Sequence, residues 1–166
     1  MGNHFHLLVR IKSAEIITQN ILQIPEIKRV LSHCHFLALP EEDRDFHSVI
    51  ERQFTRLFTS FAMIFNHAQQ RRGNLFYRPF KRVEVGDENH LIWLVYYIHS
   101  NPKKHGILKG FQQYRWSSYA TFLSDSTTNL MRTEVLEWFC GLERFISFHT
   151  EENDLPENSM YLAIDQ

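Results

Sequence analysis

Residues 4–11, HFHLLVRI, place Phe5, Leu7, Val9 and Ile11 at every second position, set against His4, His6, Leu8 and Arg10. A period of two is the pattern of a half-buried strand and not of a helix. A strand implies a sheet to hold its backbone, so this octet constrains the fold more than any other segment. Side chains two apart on a strand share a face, so His4 and His6 are expected to project together.

Beyond this strand the pattern changes. SAEIITQNILQ reads as a short helix capped by Ser13, with Ile16, Ile17 and Ile21 inward, and HCHFLALPEEDRDFH as an irregular excursion. Phe54, Leu57, Phe58, Phe61, Ile64 and Phe65 form a broad apolar face on a helix running from Ser48 to about Gln70, which Gly73 terminates. LFYRPFKRVEV is strand-like, with Pro79 at an edge or bend. The next helix starts at a cap on Asp87 and is expected to end near Asn101, because the residue before Pro102 avoids the α region. A last amphipathic helix spans about Arg132 to His149, followed by a polar tail.

On the helix over 88–101, at roughly 100° per residue, Leu91, Leu94, Val95 and Ile98 form the inward stripe. Tyr97 and Asn101 lie one turn apart on one flank of that stripe, Tyr96 on the other. Asn101 offers a hard carbonyl oxygen for Mg²⁺ or Mn²⁺. His4, His6 and Asn101 would leave coordination positions open for a phosphate beside the Tyr97 phenol. Each piece has an ordinary alternative: two polar strand residues, a tyrosine packing beside a stripe, an asparagine ending a helix. His33 and His35, around Cys34, read as loop, and His99 and His105 as solvated residues near a helix end.

Charge is informative through its distribution. The chain carries a net −1 over 166 residues. Residues 71–104 hold seven basic side chains (Arg71, Arg72, Arg78, Lys81, Arg82, Lys103 and Lys104) against three acidic ones, a net of +4. Residues 124–166 hold two basic against nine acidic, a net of −7. A basic middle interleaved with Phe76, Tyr77 and Phe80 suits a surface that grips phosphates while aromatics stack bases, or equally a solvated charged face. No apolar run approaches the ~18 residues of a membrane span and the N-terminus lacks a signal-peptide pattern, so a cytoplasmic location is expected. Cys34 and Cys140 match no zinc or redox spacing.

Taken in order, GNHFHLLVRIK (2–12), GNLFYRPFKRVEV (73–85), YYIHSNPKKHG (96–106) and WSSY (116–119) resemble the REP-associated tyrosine transposases, a branch of the HUH single-strand transposases. The resemblance covers roughly residues 2 to 120. It implies an α+β, ferredoxin-like HUH domain: an antiparallel sheet with helices on one face, lacking the strand and helix that precede the motif in that family, plus a C-terminal helical extension. The catalytic domain would occupy 1–122, with an insertion at about 13–47, and the helix and acidic tail 123–166.

The resemblance also implies His4 and His6 as ligands of a divalent metal, Mg²⁺ or Mn²⁺, with Asn101 completing the site and Tyr97 as nucleophile. The implied reaction is cleavage and strand transfer of single-stranded DNA at a hairpin, through a 5′-phosphotyrosine. Arg71, Arg72, Arg78, Lys81, Arg82, Lys103 and Lys104 would grip the DNA backbone of a monomeric or homodimeric enzyme. The alternatives are a hairpin-binding protein that has lost turnover, and a metal-dependent phosphoesterase that does not need Tyr97. A zinc nucleobase deaminase is excluded, because no PCxxC follows the histidine motif.

Overall fold

A computed structural model describes residues 4–76 and 80–151. Among the described residues all regular structure is helical: α1 (Ala14–Gln23), α2 (Leu31–Ala38), α3 (Phe46–Ala68), α4 (Glu88–Lys104), α5 (Tyr119–Phe122), α6 (Arg132–Trp138) and α7 (Leu142–Thr150), with short 3₁₀ turns between them. There is no strand among them.

This overturns the α+β, ferredoxin-like expectation and with it the resemblance to the tyrosine transposases, whose fold is built on a sheet. Residues 4–13 carry no regular structure, and no second segment among the described residues supplies a ladder. The alternation of period two is followed, but with the opposite face inward. Leu8 packs on the core, His6 is half-buried, and Phe5, Leu7, Val9 and Ile11 remain about half exposed. Periodicity specifies that a segment has two faces; which face is buried depends on the partner it meets. The second strand-like segment also forms no strand over 80–86, and Tyr77, Arg78 and Pro79 lie outside the described residues.

The chain forms two compact units: residues up to Val9 with those from Lys81 onward, and Arg10–Phe80. The first is organised around α4, which packs on α6, α7 and the 3₁₀ turn Phe111–Gln113. Its core is aromatic, with Val95, Phe111, Tyr119, Phe122, Val135, Phe139 and Phe145 buried together. Phe145 lies 5.0 Å from Phe139 and 5.3 Å from Phe122, centroid to centroid, in offset and edge arrangements that suit ring quadrupoles.

Beside a two-residue shift of α3, expected from Ser48 to about Gln70, two helix ends differ from expectation. α4 runs through Pro102 to Lys104, because the proline forfeits one backbone hydrogen bond while its ring is fully buried. The single C-terminal helix expected over 132–149 is two helices. Cys140 (φ +58°) and Gly141 (φ +112°) break it, and Gly141 adopts a conformation that side chains rarely accept.

The second unit contains α1, α2 and α3. Ser13 caps α1 by accepting from the Ile16 amide, Ile21 is buried, and Ile16 stays exposed. The stretch expected to be irregular holds α2, which ends before Pro40. Phe36 of α2 is buried and meets Phe46 of α3 edge-on at 5.0 Å. On α3, Phe58 contacts Phe54, Phe76 and Phe80, but Leu57, Phe61 and Ile64 are more than half exposed. Much of the predicted apolar face is therefore not buried. Among the described residues, no helix is long and apolar enough to cross a membrane.

Candidate metal centre

Asp87 sets the register of α4: its side chain accepts from the His90 amide at 2.7 Å, as expected for a cap. Fixed by that start, Tyr97 and Asn101 fall one turn apart on one face, and His105 follows one turn later. Across this face lies the N-terminal segment. The rings of His4 and His6 are 5.2 Å apart, His6 and Tyr97 5.6 Å, and His4 and His105 5.4 Å. His6 Nε2 lies 3.4 Å from the side-chain nitrogen of Asn101. The four residues singled out from the sequence are thus neighbours within one unit, although no strand aligns the histidines.

Burial divides the cluster. His4 and His105 are exposed and His6 half-buried, whereas Tyr97 and Asn101 have no accessible surface. The Tyr97 ring meets the His6 ring in a T-shaped contact, and the Lys104 ammonium stands over it, 5.0 Å from its centroid. With no accessible surface, the Tyr97 phenol is not presented to an external phosphodiester. The sheet that would seat the histidines is also absent among the described residues. The tyrosine-transposase reaction, its 5′-phosphotyrosine intermediate and the associated HUH and DNA-transposition assignments are therefore corrected, as is the strand-transfer enzyme they describe.

Asn101 carries the chemical signal. Its Oδ1 is buried and has no hydrogen-bond partner, a condition that costs about 1–3 kcal/mol. A half-turn of the amide exchanges Oδ1 and Nδ2 at constant shape, which brings the oxygen toward His6 Nε2. Two lone-pair donors separated by 3.4 Å match the roughly 3–3.5 Å between ligands that share one cation at about 2.1 Å. The donor set, imidazole nitrogen with an amide oxygen, fits a divalent first-row ion better than Mg²⁺. Among the described residues no three His, Cys, Asp or Glu side chains converge as a metal cage.

The basic residues divide between the units. Lys81, Arg82, Lys103 and Lys104 are exposed in the unit that holds the histidines; Arg71 and Arg72 are exposed in the other, and Arg78 lies outside the described residues. His105, expected in solvent, is exposed but stands beside His4; its place four residues after Asn101 on the same face is the signal that could have added it to the cluster.

No such signal marks His99. Expected in solvent, it is 1 % exposed, with Nδ1 2.9 Å from His149 Nε2 and Nε2 2.8 Å from Ser118 Oγ. His149 Nδ1 lies 2.8 Å from the Phe145 carbonyl oxygen, which can only accept. The proton assignments then follow in order for neutral rings: His149 Nδ1–H donates to the carbonyl, His99 Nδ1–H to His149, and Ser118 O–H to His99. Burial pushes His99 down to about 3, assisted by the neighbouring His149, and pushes His149 down to about 4. This chain ties α4 and α7 to the start of α5, a structural role that no sequence spacing announces.

No protein-family model, curated protein or solved structure matches the chain.

Proposed function

We propose that the unit built on α4 binds a divalent cation through His4, His6 and Asn101, and that this centre, with Lys103 and Lys104, holds the phosphate backbone of single-stranded DNA. The observation that carries the reading is the buried, partnerless Oδ1 of Asn101, whose side-chain nitrogen lies 3.4 Å from His6 Nε2. When bound, the cation supplies a concentrated positive charge for a phosphate oxygen to meet. His6, half-buried against Tyr97, is the ligand whose direction is fixed; His4, exposed beside it, can close on the ion as it arrives. Tyr97 acts as a positioning residue, its ring fixing that of His6. Lys103 and Lys104 favour an anionic ligand without reading its bases. The proposal is one of binding, with no bond broken or made.

The test is titration of Mn²⁺ followed by the loss of the free-ion EPR signal, with DNA binding read by fluorescence anisotropy on a hairpin-bearing single strand. His6→Ala is expected to weaken Mn²⁺ by at least about tenfold. Asn101→Asp keeps the shape and adds a carboxylate, and is expected to tighten Mn²⁺ binding. Mn²⁺ should strengthen DNA binding by the wild type and leave that of His6→Ala unchanged. Mn²⁺ affinity indifferent to both substitutions would refute the centre. DNA affinity indifferent to Mn²⁺ would refute its link to phosphate.

A further inference from the structure

The second unit contains an open cleft of about 380 Å³, lined by none of the residues of the candidate metal centre. Its walls come from all three helices of that unit and are mainly aliphatic: Ile17, Ile21 and Ile24 of α1 and its end, and Val49, Ile50 and Leu57 of α3. Arg10, Lys12 and His33 also line it, and no carboxylate does. An apolar cleft with cations and no anions in its wall selects for a ligand with an apolar body and a negative head.

His33 supplies a second, independent signal. It is 6 % exposed, and its Nδ1 is buried without a hydrogen-bond partner. Its Nε2 faces the Gln53 side-chain nitrogen at 3.4 Å. An amide nitrogen can only donate, so His33 Nε2 accepts and the neutral ring carries its proton on Nδ1. A residue that lines the cleft therefore carries a buried donor that lacks an acceptor. Burial, followed by the charges of Arg56 and Arg29, holds the imidazole below its ordinary range and so keeps it neutral. Arg29 is itself fixed, donating to the Leu22 and Ile24 carbonyl oxygens at 2.8 and 2.9 Å where α1 ends.

We infer that this cleft binds a medium-chain aliphatic carboxylate, its chain among the isoleucines and its head met by Arg10, Lys12 and the His33 N–H. The volume suits a chain of ~10–12 carbons once packing is allowed for. The site is separate from the histidine–asparagine centre and does not depend on it.

The test is calorimetric titration of the full chain with decanoate below its micellar threshold, set against the cationic amphiphile decyltrimethylammonium. Decanoate is expected to bind at least about tenfold more tightly than the cation. The doubly substituted Arg10→Glu, Lys12→Glu protein changes only exposed side chains. It should lose decanoate affinity by about tenfold or more while its circular dichroism is unchanged. Ile50→Trp, which fills the cleft, should abolish binding. Equal affinity for both amphiphiles, decanoate binding that survives the double charge reversal, or no decanoate binding by the folded wild type would each overturn the inference.

Discussion

His99 and His149 show how much one residue's surroundings decide. Both rings are neutral in the folded protein and lie well below the ordinary histidine value, at about 3 and about 4. In the unfolded chain they take up protons near pH 6.5. The unfolded state therefore binds more protons as pH falls below that value, and stability present above pH 6.5 is lost on acidification toward 4 and then 3. We predict that the unfolding free energy drops by roughly 1.4 kcal/mol per pH unit for each ring over this window, measured by urea titration at a series of pH values. In His149→Phe the dependence should be shallower, since one titrating ring is removed. A flat stability profile from pH 7 to 4.5 would show that the rings are not buried neutral. Asn101 is the counterpart at the candidate centre: Asn101→Leu removes the partnerless oxygen and should cost little stability, while abolishing Mn²⁺ binding.

At the scale of elements, local signals were legible where the determining contacts are local. Ser13 and Asp87 were readable as caps, and Asp45, whose side chain accepts from the Ser48 amide at 3.1 Å, starts α3 in the same way. We expect Asp87→Ala to lower stability by about 1 kcal/mol, a loss visible as a fall in thermal midpoint. Gly141 stands between two stretches of helical periodicity, and a single glycine does not by itself divide such a pattern. With φ +112° and ψ 173°, it holds a conformation that belongs essentially to glycine. A Cβ there meets no atom within 4 Å, so Gly141→Ala should cost about 1–3 kcal/mol through backbone strain alone. A stability equal to wild type would mean that α6 and α7 are joined differently. The strands failed for the opposite reason. Alternation at 5, 7, 9 and 11 is a statement about one segment, and a strand exists only through a neighbour at another place in the chain.

At the scale of the molecule, the clustering of His4, His6, Tyr97 and Asn101 was inferred from spacing and from a family likeness, while the scaffold attached to that likeness is not the one observed. The helix carrying Tyr97 and Asn101 was legible from its cap and stripe. What the sequence did not disclose is that this helix is buried around most of its second half, by α6, α7 and the turn at Phe111. Such burial arises from contacts across dozens of residues, for which periodicity in a single helix has no signal. It also changes Tyr97 from an offered nucleophile into a sealed ring. The aromatic core around Phe145 should make α4 and α7 the slowest-exchanging amides, and α2, where only His33 and Phe36 are buried, among the faster.

We propose that one cation site joins the N-terminal histidines to α4 with no strand among the described residues to align them. Its most direct test is paramagnetic broadening by Mn²⁺ in an amide-resolved NMR spectrum of the full chain. Broadening is expected to be confined to residues near His4 and His6 and to Tyr97 through His105, including the Asn101 side-chain amide. Broadening centred on the acidic residues of α6 and α7, or spread without a focus, would contradict the proposal.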